Sequence, residues 1–316
     1  MSAGGVVTLG ETMALMTPTT TGPLQHTRTM TLGIGGSESN VAIALQRLGT
    51  PATWIGKVGS DSLGDLVARE IGAEGVRVVA LRDQEVPTGL MVKERRTSAD
   101  TRVWYYRSGS AGSRLRADEL DAALIRESTL LHVTGISPAL SESMAGAVFE
   151  AIRVARDAGI LVSFDLNFRS RLWSRELARE CYLRLLPEAD IVFAGDDEAA
   201  IVVEDAANPL TLAHRLVDAG AGQAIVKLGA RGAVAVVDGA EYERAAISVT
   251  VIDTVGAGDA FVAGYLADFL AGEDVPTRLT TAVTVGAYAC LTEGDWEGSP
   301  RREELARLGD SGHTSR

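Results

Sequence analysis

Asp253-Thr254-Val255-Gly256-Ala257-Gly258-Asp259-Ala260-Phe261 joins a glycine-rich turn to a carboxylate at the head of an apolar segment, Ala260 to Leu270. A helix starting here aims its free backbone N–H groups at the turn, with the positive end of its dipole behind them. That arrangement is an anion site. Gly256, Ala257 and Gly258 are small enough to let backbone approach the anion closely. Asp259 adds a negative charge beside it, which is productive if the carboxylate takes a proton from a hydroxyl attacking a phosphate. An acidic residue in a first helical turn is also common without such a role, so the turn alone leaves both readings open.

A second cluster, Gly33-Ile34-Gly35-Gly36-Ser37-Glu38-Ser39-Asn40, leads into a helical stretch Val41–Leu48. Gly35 and Gly36 let a ligand lie against bare backbone, and Asn40 can both donate to and accept from a sugar hydroxyl. Taken alone, such a cluster is more often just a loose glycine start to a helix.

The elements that must position these groups alternate. Strand patterns at Val6–Gly10, Thr53–Val58, Leu130–Thr134, Leu161–Asp165, Ile191–Ala194, Ala224–Leu228 and Ala233–Val237 are interleaved with helical patterns at Ser39–Leu48, Leu63–Ile71, Ser143–Ala158, Ser174–Leu186 and Leu210–Ala219. Apolar strands alternating with amphipathic helices predict an α/β fold, a doubly wound and mostly parallel sheet covered on both faces. Ligands of such sheets sit at the carboxyl ends of the strands. Two stretches break the alternation. Thr12 to Gly35 is rich in threonine and glycine, and Thr88 to Arg107 reads as two strands, Thr88–Lys93 and Thr101–Arg107, around a polar turn at Arg96–Asp100. Together they predict a small antiparallel sheet projecting as a lid or a dimer surface.

The chain has 316 residues, 46% of them hydrophobic, and a formal net charge of −12. That is a globular composition, and its acidity disfavours nucleic-acid or anionic-membrane partners. No apolar run approaches the ~18 residues of a membrane span, and Met1–Gly5 carries no secretory pattern. Cys181 and Cys290 fit neither a metal spacing nor a disulfide framework. These features predict a cytoplasmic protein. There is no Gly-x-x-x-x-Gly-Lys-Ser/Thr, no His-Glu-x-x-His and no Gly-x-Ser-x-Gly, and Glu11-Thr12-Met13 follows the first strand where a dinucleotide fold needs glycines.

The two glycine motifs, Gly35-Gly36-x-x-x-Asn40-x-Ala42-x-x-Leu45-x-Arg47-Leu48-Gly49 and Asp253-Thr254-x-Gly256-Ala257-Gly258-Asp259-x-Phe261, resemble those of the ribokinase-like (PfkB-type) sugar kinases in order and separation. The resemblance covers essentially the whole chain. It implies a ribokinase-like domain over residues 1–308, with a β lid built from about 12–35 and 88–107; the polar Gly309–Arg316 beyond it reads as a flexible tail. It also implies transfer of the γ-phosphoryl group of ATP to a sugar hydroxyl, with Asp259 as base and Gly256, Ala257 and Gly258 donating to the developing charge. Lys227-Leu228-Gly229-x-Arg231-Gly232 resembles the family's nucleotide turn, and Asn167 falls where phosphate is contacted. Mg²⁺ is implied by the chemistry. The family's Asn-x-x-Glu is here Gly195-Asp196-Asp197-Glu198. Glu198 is therefore implied only as an indirect contributor, with the metal held through water and phosphate.

Trp104-Tyr105-Tyr106-Arg107-Ser108-Gly109-Ser110-Ala111 and Asp165-Leu166-Asn167-Phe168-Arg169-x-x-Leu172-Trp173 are similar to the 2-keto-3-deoxygluconate kinase branch. A sugar acid calls for fork donors; the resemblance implies Arg107 and Arg169 at its carboxylate, Tyr105 adding a hydroxyl and an apolar face, and Asp295 as a late carboxylate near the sugar. The product implied is the 6-phosphate. Relatives often pair through the lid, so a homo-oligomer is expected. A neutral-sugar kinase of fructokinase or ribokinase type is the alternative, and a non-catalytic sugar binder on the same scaffold a more distant one.

Overall fold

A computed structural model describes residues 4–97 and 101–308. The expected tail, and Ser98 to Asp100 of the polar turn, lie outside the described residues. The chain runs β1 (Val6–Leu9), β2 (Met13–Pro18), β3 (Met30–Gly35), α1 (Ser37–Arg47), β4 (Ala52–Gly59), α2 (Ser62–Ala73), β5 (Arg77–Asp83), β6 (Leu90–Arg95), β7 (Thr101–Tyr106), α3 (Ala122–Arg126), β8 (Leu130–Thr134), α4 (Glu142–Asp157), β9 (Leu161–Asp165), α5 (Arg175–Leu185) and β10 (Ile191–Gly195). It continues through α6 (Asp196–Val202), α7 (Pro209–Asp218), β11 (Gln223–Lys227), β12 (Ala233–Val237), β13 (Ala240–Arg244), α8 (Ala257–Leu270) and α9 (Val275–Ala289).

Among the described residues the large sheet has nine strands in the order β13-β12-β11-β10-β9-β8-β1-β4-β5. From β11 to β5 every neighbour is parallel, while β12 and β13 return antiparallel. Side chains alternate between its faces. One face packs α1, α2, α8 and α9 over residues such as Val6, Trp54, Phe193 and Ile225. The other packs α3 to α7 over Val7, Leu131, Phe164 and Val192. The order reverses at β1, so the crevice at the carboxyl ends of β1, β8 and β9 is the ligand position that this topology favours.

A second sheet has the order β3-β2-β6-β7. It is mixed and not antiparallel throughout as the sequence suggested: β2 pairs with β3 and β6 with β7 antiparallel, but β2 and β6 run parallel over Ala14↔Leu90 to Met16↔Val92. The reason lies in the parent sheet. β2 follows β1 and β6 follows β5, and those two strands run in the same direction. The register puts Leu15, Met91, Lys93, Val103 and Tyr105 on the inner face, where Met13, Leu15 and Met91 form a small apolar cluster. Leu32, Met16, Val92 and Trp104 form a row across the outer face, with Leu32 and Trp104 exposed.

Helix starts differ in a way that bears on the site. α2, α3, α4, α5, α7 and α9 each have a side-chain acceptor at the N-cap: Asp61, Asp121, Ser141, Ser174, Asn208 and Asp274. α1 and α8 start on Gly36 and Gly256 with no side-chain cap. Their first-turn donors are therefore not claimed by a capping side chain.

Candidate active site

Asp259 sits in the first turn of α8, 8% exposed. Its carboxylate is held from the start of α1. Ser37 Oγ donates to Oδ1 at 2.6 Å, and Asn40 Nδ2 donates to Oδ2 at 2.8 Å. Asn167, just beyond β9 in a left-handed conformation (φ +39°), donates to Ser37 Oγ at 2.7 Å. Burial pushes Asp259 up to about 6, opposed by the donors Ser37 and Asn40; Asp165 pushes it further up, and the charge of Arg169 pulls it down. An ordinary aspartate titrates near ~4. The environment therefore makes Asp259 a stronger base than its residue type implies.

The turn before Asp259 is shaped by Gly256, at φ +76°. A Cβ there would lie 1.8 Å from the main-chain oxygen of Asp295. Ala257 N–H makes a long 3.3 Å bond to the Thr254 carbonyl. The amides of Gly256 and Gly258 have no acceptor among the described residues. Lys227, at the end of β11, lies behind this turn: its Nζ would be 3.7 Å from a Cβ on Gly258. Its ammonium bonds both oxygens of Asp165, at 2.8 and 2.7 Å. Burial lowers the Lys227 pKa, but Asp165, Glu198 and Asp259 more than offset this, and the lysine stays charged.

The other residues singled out from sequence are distributed as follows. Gly35 and Gly36 lie tight against the protein: a Cβ on the first would meet Asp295 Oδ2 at 2.3 Å, and on the second Glu11 O at 2.5 Å. Asn40 gives its amide N–H to Asp259, and its Oδ1 has no partner among the described residues. Asp295 is buried and ion-paired to Lys93 at 2.8 Å. Gly229 and Gly232 bracket the turn between β11 and β12, both with positive φ, and Arg231 within it pairs with Asp196. Glu198 Oε1 accepts from Phe168 N–H (2.9 Å) and Oε2 from Gly195 N–H (2.7 Å), tying the β10–α6 turn to the segment after β9.

The two arginines are not equivalent. Arg107 Nε and Nη2 both reach Oε2 of buried Glu11, at 2.7 and 2.6 Å, and Ser110 Oγ donates to Glu11 Oε1. Arg107 also lies 5.9 Å from the ring centroid of half-exposed Tyr105. Arg169 is exposed, bonds only its neighbour's carbonyl, Phe168 O, and pairs with no carboxylate among the described residues.

Several functional groups escaped the sequence reading. Ser37 and Glu38 lay inside the quoted glycine cluster, but nothing there distinguished them from a helix start. Glu38 is fully buried, accepts from Thr134 and Ser137 at 2.7 Å each, and is pushed up to about 6 by burial. Glu11 and Lys93 are visible only through their partners.

We expect Ser37→Ala to strip Asp259 of a donor that favours its ionised form. The acid limb of kcat/KM against pH should then move to higher pH, while a limb left in place would show that Ser37 does not tune the base.

A family profile described as "pfkB family carbohydrate kinase" matches residues 4–302. The chain is 33% identical to a 2-dehydro-3-deoxygalactonokinase of Haloferax volcanii, covering 97% of this chain and 98% of that protein. It is 35% identical to a 2-dehydro-3-deoxygluconokinase of Bacillus subtilis, covering 95% and 94%. Among solved structures, a PfkB protein from Polaromonas sp. JS666 superposes with a TM-score of 0.87 at 33% identity, covering 96% of this chain and 99% of that one. With its profile spanning nearly the whole chain and relatives of this identity over this coverage, the chain belongs to the pfkB family of carbohydrate kinases.

Proposed function

We propose that this kinase transfers the γ-phosphoryl group of ATP to the C6 hydroxyl of 2-keto-3-deoxygluconate (2-dehydro-3-deoxygluconate). The observation that carries the reading is Asp259, held by Ser37 and Asn40 at the uncapped start of α8. The hydroxyl gives its proton to an Asp259 oxygen as its own oxygen forms a bond to the γ-phosphorus. The bond from that phosphorus to the β,γ-bridging oxygen breaks, and ADP departs. Charge on the transferring group meets the amides of Gly256, Ala257 and Gly258, the positive end of α8 and the Lys227 ammonium behind them. Because this transition state is loose, positioning and charge stabilisation carry most of the rate.

Mg²⁺ accompanies ATP. Among the described residues no three acidic, histidine or cysteine side chains cluster to hold a metal. The Asp165 oxygens face Lys227, and Glu198 is bonded by two backbone N–H groups. Such a donor set fits a cation carried mainly on phosphate oxygens and water, with Glu198 at one remove. When bound, it would neutralise phosphate charge. Asn167 and the Lys227–Gly232 turn with Gly229 and Arg231 face the nucleotide in this reading. Gly35, Gly36, Asn40, Tyr105, Arg107, Arg169 and Asp295 face the sugar. The whole chain then acts as one kinase domain with the small sheet as its lid.

One observation favours the neutral-sugar alternative: Arg107 is already paired with Glu11. Its Nη1 and the unpaired Arg169 are what remain for a carboxylate. ADP formation should be measured with Mg·ATP and 2-keto-3-deoxygluconate, fructose or ribose in turn. Turnover on the acid alone is expected, and a neutral-sugar preference would reject the reading. Arg107→Ala should raise KM for the acid by about 10–100-fold, the worth of a charged hydrogen bond. An equal effect on acid and neutral sugars would remove Arg107 from carboxylate recognition.

We also infer a homo-oligomer through the outer row Leu32–Met16–Val92–Trp104, a contiguous apolar row on the small sheet in which Leu32 and Trp104 are exposed. A monomer mass by light scattering on the same preparation would reject it. No described helix is long and apolar enough to cross a membrane. Cys181 and Cys290 are free thiols, as a reducing cytoplasm keeps them.

A further inference from the structure

Lys93 stands on the inner face of the small sheet, on β6, and is 3% exposed. A lysine is almost never buried to this extent unless its charge is paired. Its Nζ lies 2.8 Å from Asp295 Oδ1 and 3.3 Å from Asp253 Oδ2. These two carboxylates belong to different parts of the site. Asp253 opens the turn that ends at Asp259, and its Oδ1 accepts from Val255 N–H at 3.1 Å, which sets the bend of the chain. Asp295 abuts the same turn from outside, its main-chain oxygen packed on Gly256, while its side chain reaches Gly35.

We propose that Lys93 is a positioning residue: its ammonium ties the Asp295 carboxylate, with Asp253 beside it, to the underside of the small sheet, so that docking of the sheet keeps the carboxylate that meets the sugar seated and ionised. The inference rests on the kinase reading of the site, and on Asp295 as a sugar contact.

The surroundings give the sign of the effect. Arg95, also from β6, is engaged with Glu293 at 2.7 Å. Glu297 lies close enough to feel both Asp295 and Lys93. Four carboxylates, Asp253, Glu293, Asp295 and Glu297, thus face two cations, and a cavity of about 330 Å³ opens beside them under the sheet. Burial holds Asp295 above the ordinary carboxylate range; Lys93 opposes this, and the charge of Asp253 adds to it. Without the ammonium, both remaining influences drive Asp295 towards its protonated form, which accepts fewer hydrogen bonds from sugar hydroxyls.

The test is the pH profile of Lys93→Met, measured with whichever of 2-keto-3-deoxygluconate, fructose and ribose the wild type turns over best. We expect KM for the sugar to rise at least about tenfold at pH 6.5 and to recover as pH increases, with KM for ATP changed less than about twofold. Lys93→Arg should restore most of the loss. The double variant Lys93→Met/Asp253→Asn removes one charge of each sign, so it keeps the charge balance of the fold. It should bring the sugar KM at pH 6.5 back towards wild type. A uniform fall in kcat and both KM-dependent rates at every pH, with a lowered Tm, would overturn the proposal by showing a packing role only. An unchanged sugar KM at pH 6.5 would overturn it as well. A wild type inactive on the acid but active on fructose rejects the substrate reading and leaves this test intact.

Discussion

Asp259→Asn is expected to lower kcat by about 10²–10⁴-fold, the range for a positioned general base. KM for the sugar should change little, because the isosteric amide keeps the shape of the pocket. The Asn40 amide can adapt by rotating: its Oδ1 has no other partner among the described residues and would accept from the new side-chain amide. Retained turnover would remove Asp259 from the base role. The same variant should be more stable than the wild type at pH 8. Asp259 is pushed up to about 6 by burial, so the folded chain holds this proton more tightly than the unfolded chain, whose carboxylate titrates near ~4. Stability associated with the protonated form is present below pH ~4 and is lost as pH rises through about 6. A difference of this size is worth about 3 kcal/mol. The stability advantage of the amide should therefore shrink as pH falls from 8 to 4, which thermal melts at several pH values can follow. A constant advantage across that range would mean that Asp259 is not destabilised by burial. In kinetics, wild-type kcat/KM should climb through pH about 6 and then level.

Gly256→Ala combines two penalties in one methyl group. The backbone at +76° disfavours any side chain, at about 1–2 kcal/mol. The added Cβ would also meet the Asp295 main-chain oxygen at 1.8 Å, so the turn or the 293–297 loop must move. Either movement displaces the Gly256–Gly258 amides, and with these amides as the proposed phosphate donors the loss of one costs about 10²–10³-fold in rate. We expect a kcat loss of at least that order with a lower Tm. Gly272→Ala is the control. Its φ is also positive, +79°, but no atom lies within 4 Å of the added methyl. It should cost stability alone. Comparable activity loss in both variants would show that backbone strain, and not the collision with Asp295, is responsible.

How far the sequence spoke depended on how much of each element's pattern came from burial. β8, β9 and β12 are buried on both faces, and their apolar runs marked them to the residue. β5 and β13 lie at the sheet edges. Their mixed Arg77–Asp83 and Ala240–Arg244 segments carry charges that hide the strand period. α9 passed unrecognised because threonines at 277, 280, 281 and 284 depress helix propensity. Thr280 and Thr284 turn their hydroxyls back to carbonyls four residues earlier, so the helix tolerates them. At the site, glycines and carboxylates were legible because their types are unusual at those spacings. Pairings were not: that Arg107 meets Glu11, or that Lys93 meets Asp253 and Asp295, is decided by how the small sheet folds over the large one, which no local pattern encodes.

The hydrogen bond between Ser37 and Asp259 spans 222 residues of chain. During synthesis at roughly 5–20 residues per second, Ser37 therefore waits about 10–40 s for its carboxylate partner to be made. The amino-terminal third can form β1, β2, β3 and α1 in that interval, yet it holds an empty seat for a carboxylate still being translated. With Asp259 as the proposed base, a ribosome-bound fragment ending before α8 should phosphorylate nothing, and on refolding from denaturant activity should return no earlier than this long-range contact closes.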